Sequence, residues 1–171
     1  MTRYKIVPEK SHVWIDASSN VHPIHSSTDG LEGYVELELA ADGEVDVGQP
    51  LAGKLSLPVS RLSSGNRMED RELQKRIESR RYPTIDGILK SMERSGTNGS
   101  YRVTGDVNFR GVVRSHHDDM TVSALDSETI QLAGKSQFDI REFGMEPPRV
   151  LLLKVSPQVE IRVEITAVKE S

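Results

Sequence analysis

The chain has 171 residues, 28% charged and 36% apolar, with a formal net charge of −4 and no cysteine. A length of this order supports one domain, residues 1–171, around a core of its own. The acidic balance excludes the basic footprint of a nucleic-acid partner, the missing cysteines exclude disulfides and thiolate metal sites, and no run approaches the roughly 20 apolar residues of a membrane-crossing helix.

The opening Met1–Ile6 lacks an apolar run of signal-peptide length, so the expected compartment is the cytoplasm. Val13, Ile15 and Ala17 alternate with His12, Trp14 and Asp16, which is the period of a half-buried strand. Gly33, Val35, Leu37 and Leu39 repeat the pattern against Tyr34, Glu36 and Glu38. Leu55, Leu57 and Val59 do so against Lys54, Ser56 and Pro58, where the proline marks an edge or a strand end. Arg67–Ser79 breaks the rhythm, with no Gly, Pro or β-branched run, and predicts a helix near residues 66–80. Ser64 or Asn66 would cap it, Glu69 and Asp70 suit its first turn, and Pro83 stops it. Its apolar side chains are Met68, Leu73 and Ile77 alone, so this charged helix belongs over a surface or an opening.

Tyr101–Arg110 is the clearest strand: Tyr101, Val103, Gly105, Val107 and Phe109 share one face. Met120–Leu125 and Ile130–Ile140 follow, joined at Asp126-Ser127-Glu128. The run Val150–Leu153 reads as a buried strand. Val159, Ile161, Val163, Ile165 and Ala167 then alternate with Glu160, Arg162, Glu164 and Thr166. Turns are expected at Asp29-Gly30, Ala41-Asp42-Gly43 and Gly96–Gly99. Short strands at regular spacing without a βαβ rhythm point to a mainly β, antiparallel sandwich or barrel.

Chemistry is sparse in this pattern. His22-Pro23-Ile24-His25 and His116-His117-Asp118-Asp119 read as two polar loops whose imidazoles and carboxylates suit a divalent metal if they converge at a barrel rim. Pro23 argues against a helical His-x-x-His arrangement. There is no Gly-x-Ser-x-Gly elbow and no phosphate-cradling Gly-Lys-Ser/Thr. Trp14, the lone tryptophan, suits a strand-surface or interface anchor.

The ordered series resembles the YceI-like proteins, lipocalin-like antiparallel barrels that bind polyisoprenoid lipids. The likeness rests on Tyr4-Lys5-Ile6 with Ser11-His12-Val13, on His25 ahead of Gly33, and on Leu62-Ser63-Ser64-Gly65-Asn66. It continues through Asp70 with Leu73, Tyr82-Pro83, and Val103-Thr104-Gly105 leading to Gly111-Val112-Val113-Arg114. It closes on Ile140-Arg141-Glu142-Phe143-Gly144. The resemblance implies a barrel with one charged helix, no cofactor, and an isoprenoid or fatty amphiphile as partner, with homodimers that would involve Trp14. Inward positions expected to line a lipid tunnel are Val35, Leu37, Leu57, Tyr101, Val103, Phe109, Phe138, Ile140 and Ile161, with Leu73 and Ile77 of the helix over one mouth. Gly105 and Gly134 would leave room for a ligand or let the strands coil. His25 is the expected head-group contact, with Arg114 and Arg141 beside it. The competing reading is a metal-dependent or quinone-handling enzyme using His22, His25, His116 and His117; a third is a packed interaction protein without a ligand.

Overall fold

Period-two alternation carries the chain through eleven strands and one α-helix in the computed structural model, which describes residues 2–96 and 99–171. The strands are β1 (Thr2–Ile6), β2 (His12–Ser19), β3 (Ile24–Thr28), β4 (Glu32–Leu37), β5 (Ala52–Pro58), β6 (Thr84–Arg94), β7 (Ser100–Phe109), β8 (Val112–Ala124), β9 (Thr129–Asp139), β10 (Arg149–Val150) and β11 (Leu153–Lys169). All pairings are antiparallel, in the order β1-β4-β5-β6-β7-β8-β9-β11, and β1 returns to β11. Eight strands therefore close on themselves, which removes the edges those strands would otherwise present and leaves β3, beyond β2, at the sheet's margin.

Closure is uneven, and this creates the site. Along one edge β11 pairs β9; on its other edge Lys169 to Ala167 face β1, whereas Glu164 to Val155 face β2. The β2–β3 hairpin thus takes over where β1 ends and flares one end of the barrel. At that end lie helix α1 (Arg67–Ile77) and the β10–β11 hairpin, which pack together. The far end is plugged: Leu37, Val45 and Tyr101 have no exposed surface there. The Tyr101 hydroxyl accepts a hydrogen bond from the Val45 N–H and donates to Glu44, both at 2.8 Å.

The helix forms as the sequence predicts. Asn66 caps it by accepting from the Met68 and Glu69 amides, Glu69 and Asp70 occupy the first turn, and Glu78 ends it in the left-handed conformation. The Ser64 hydroxyl donates to Asp70 at 2.6 Å, and Gln74 donates to the Val59 carbonyl at 2.7 Å, which ties the helix down. Gly105 allows strand coiling: a Cβ there would stand 2.7 Å from the Ile88 carbonyl oxygen of β6.

Four expectations are corrected. His116–Asp119 is not a loop but the middle of β8, and Ile24–Thr28, including His25, is strand β3. Ile140 opens a 3-10 turn, Ile140–Phe143, because Asp139 caps the Arg141 amide. The run Val150–Leu153 is not a buried strand: Leu151 and Leu152 form the tip of the β10–β11 hairpin and are 89% and 86% exposed. Strand β6 went unread because Gly87 and a register shift between Leu89 and Ser91 break its alternation. Of the turn expected at Gly96–Gly99, Thr97 and Asn98 lie outside the described residues.

Candidate functional site

The flared end encloses an apolar cavity with about 150 Å³ open to water-sized molecules, the scale of an apolar void that takes up benzene. Ile15 and Ala17 from β2, Ile161 from β11, Phe109 from β7 and Phe138 from β9 form its walls; Leu73 and Ile77, one turn apart on α1, form its roof. Val150 and Leu153 of the β10–β11 hairpin border it as well. A second void of about 150 Å³ lies deeper, against Val35, Leu55, Leu89, Val103 and Gly105. Val107 borders both. A chain longer than a ring-sized fragment must therefore pass Val107 to fill the barrel.

The expected lining residues divide three ways. Leu73, Ile77, Phe109, Phe138, Ile140 and Ile161 line the first cavity, and Val35 and Val103 the second. Leu37, Leu57 and Tyr101 are packed in the buried core and border neither void. Sequence reasoning missed Ile24, Leu62, Ile85, Phe143, Met145 and Pro148. Ile24 and Ile85 sit on the two strands that were not read as strands; Leu62, Phe143 and Pro148 sit in irregular segments where no periodicity marks the inward face.

The polar lining of the first cavity is Ser26, Ser64, Glu69 and Asp70, and among the described residues no lysine or arginine joins it. Asp70 is held by the Ser64 hydroxyl and amide, and Glu69 Oε1 lies 3.3 Å from His22 Nε2, which links the β2–β3 loop to the helix. The expected head-group residues lie elsewhere. His25 projects from the outer face of β3, with 70% of its side chain exposed and its Nδ1 2.6 Å from Asp16; the parity that turns Ile24 and Ser26 inward turns it out. Arg141 is bound to Asp139 in solvent, and that hydrogen bond holds the Asp139 carboxyl below its usual range and the guanidinium above its own. Arg114 is exposed and its guanidinium donates to the Val113 carbonyl.

The barrel wall has one weak seam. The β8–β9 ladder runs only from Asp119↔Lys135 to Ala124↔Ile130. Toward the mouth, side chains complete the wall: the His116 ring stacks on Phe138 with centroids 4.0 Å apart, and His116 Nε2 lies 2.9 Å from Asp118. Burial pushes the Asp118 carboxyl above its usual range, against the opposing pull of His116 and of a hydrogen bond with Ser136. Both His116 and Asp118 border the second void. His117, one residue on, is on the outer face, 2.8 Å from the Thr104 hydroxyl. The two histidine segments do not converge, and among the described residues no three His, Cys, Asp or Glu are grouped as a metal would require. Trp14 is on the outer face of β2, where the Arg162 guanidinium lies 5.0 Å from its ring.

Comparison with known proteins places this geometry. In the solved structures, Burkholderia cenocepacia BcnA matches over 95% of this chain and 99% of its own, with TM-score 0.77 and 15% identity. A polyisoprenoid binding domain from Saccharophagus degradans, implicated in plant cell wall breakdown, matches over 98% of both chains with TM-score 0.76 and 12% identity. The Campylobacter jejuni YCEI protein matches over 82% of each chain with TM-score 0.66 and 15% identity. Identities this low establish the shared barrel and nothing finer. No curated protein matches the chain in sequence. No helix among the described residues is long and apolar enough to cross a membrane. The YceI-like domain model matches residues 4–167 of the sequence, and the chain belongs to that family.

Proposed function

We propose that this protein is a non-catalytic carrier that holds the tail of a polyisoprenoid or other long-chain amphiphile in its barrel. The observation that carries the reading is the apolar cavity under α1, bounded on nearly every side by aliphatic and aromatic side chains. Each buried CH2 of a ligand contributes about 0.8 kcal/mol, so a few isoprene units outweigh the cost of ordering the chain. The polar lining narrows the ligand further. Glu69 and Asp70, with no lysine or arginine in the lining among the described residues, disfavour a diphosphate head and favour an uncharged one, such as an alcohol or a quinone. The relative described as polyisoprenoid-binding supports the same class. Residence in the cytoplasm and homodimers formed through the Trp14 face belong to this proposal and are tested by fractionation and sedimentation.

Native mass spectrometry of the purified protein, with organic extraction and metal analysis of the same sample, tests the reading. The expected result is a hydrophobic adduct at one per barrel, or its formation on adding geranylgeraniol. A bare mass that takes up no prenyl alcohol refutes it, and stoichiometric Zn, Ni or Fe lost in His116→Ala would instead favour a metal enzyme.

A further inference from the structure

The tip of the β10–β11 hairpin breaks three rules of local stability at once. Leu151 and Leu152 are the most exposed large apolar side chains among the described residues, at 89% and 86%. Leu151 has φ 55°, in the left-handed region, at the first loop position of a two-residue hairpin that favours glycine. Directly beneath the tip, Arg149 and Lys154 stand opposite each other across the two strands, an arrangement that is unfavourable for like charges. Both are exposed, and among the described residues neither has an anionic partner.

The tip does not stand alone. Asn20 clamps it from the β2–β3 loop, donating to the Leu152 carbonyl at 3.0 Å and accepting from the Lys154 amide at 2.6 Å. The next residue after Asn20 is the exposed Val21. Exposed Met68 lies in the first turn of α1, next to the Glu69 that meets His22 of the same loop. Leu151 and Leu152 lie in sequence between Val150 and Leu153, which help to line the cavity, and Met68 directly precedes the lining residues Glu69 and Asp70. Charge follows the same polarity. Residues 67–81 hold six cations against four anions and residues 141–154 hold three against two, in a chain whose net charge is −4. The exposed Leu125 at the β8–β9 turn has the opposite setting, just ahead of Asp126 and Glu128 in a turn at the far end of β11.

We propose that this hairpin tip is a membrane-docking element: Leu151 and Leu152 insert into the outer layer of a bilayer containing anionic lipids, and Arg149 and Lys154 meet its phosphates. The bilayer supplies what the free protein lacks, an apolar medium for two leucines and counter-charges for two facing cations. It also sets the cavity mouth against the surface from which an amphiphile must come. The proposal takes its direction from the carrier reading, yet its test does not depend on a ligand occupying the barrel.

The test is co-sedimentation of the full chain, stripped of lipid by organic extraction and refolding, with vesicles of phosphatidylcholine alone or with added phosphatidylglycerol. Binding is expected to the mixed vesicles and to weaken at high salt. Arg149→Gln/Lys154→Gln should abolish the preference for anionic vesicles. Leu151→Gly/Leu152→Ser replaces the tip with residues that suit the turn, so it should fold at least as stably while partitioning falls by about tenfold per leucine. Unchanged binding in that variant, no binding by the parent chain, or a dimer that the variant dissolves without any vesicle binding would overturn the proposal. Vesicle binding without a prenyl adduct in native mass spectra would leave docking standing and remove the carrier reading alone.

Discussion

Ala17 faces the first cavity from β2, between Ile24 of β3 and Val159 of β11, and all three border the void. Ala17→Leu adds about three carbon atoms there, each displacing a comparable part of a bound tail. At about 0.8 kcal/mol per buried CH2, that is roughly 2.4 kcal/mol, or about a fiftyfold loss of affinity for a prenyl chain. The empty protein should respond in the opposite sense. Filling a void of about 150 Å³ leaves unfolding stability unchanged or raises it by about 1 kcal/mol. Urea unfolding of lipid-free protein and calorimetric titration with geranylgeraniol read the two quantities separately. A core already full of side chains would give the reverse pattern, with overpacking costing about 1–3 kcal/mol and no affinity to lose. That outcome would sink the hollow-barrel argument.

Two further perturbations probe the plug and the seam. Tyr101→Phe leaves the buried Val45 N–H without its acceptor and Glu44 with the Gly99 N–H but not the hydroxyl as donor, so it should cost about 1–3 kcal/mol, at roughly 2–4 °C of Tm for each, without changing ligand affinity; an unchanged Tm would show that the hydroxyl plays no part in closing that end. Asp118 is raised above its usual range chiefly by burial, so the folded state keeps its proton to higher pH than the unfolded chain does. Its contribution to stability is then full below about pH 3.9 and is lost as pH rises through the raised value. The stability of Asp118→Asn relative to the parent should therefore increase over that window, and a difference independent of pH between 3 and 7 in denaturant titrations would contradict the assignment.

What the sequence revealed follows from how cleanly each segment states its period. β7 and β11 alternate without interruption, and the faces read from them are the faces found: Phe109 and Ile161 reach the cavity as expected. The helix was legible for another reason. Asn66, the acidic first turn and Pro83 are local signals that require no knowledge of the fold. Position along the barrel was not legible. Tyr101 and Phe109 have the same parity on one strand, yet one plugs the closed end and the other lines the open end, because strand register decides depth. The polar segments misled in a related way. His116 and Asp118 look like loop residues because a strand interior is expected to be apolar, but β8 has left its β9 ladder at that height, and two polar side chains complete the wall. Val150–Leu153 misled in the converse sense, since composition alone cannot distinguish an apolar run that is buried from one held out into solvent.

The asymmetry between the two ends is the strongest functional statement in the fold. At one end the chain returns on itself through Leu39 and Val45, and Tyr101 holds that ribbon shut with two hydrogen bonds, one to the buried Val45 N–H and one to the half-buried Glu44 carboxylate. At the other, β1 gives way to β2, the barrel widens, and closure is left to α1, seated by the buried Ile77 and by Gln74 on the Val59 carbonyl, and to a loop and hairpin tied by polar contacts: His22 to Glu69, Asn20 to the hairpin. The exposed contacts of the loop and hairpin contribute little to stability and so allow local opening there, whereas breaking the plug would strand the buried Val45 N–H. A barrel built this way has one door. The exposed leucines and the facing cations Arg149 and Lys154 stand at that door, and the acidic tip stands at the opposite end. In the proposed carrier an amphiphile would enter past α1 and the β10–β11 hairpin, and both would be oriented toward a surface docked by Leu151 and Leu152.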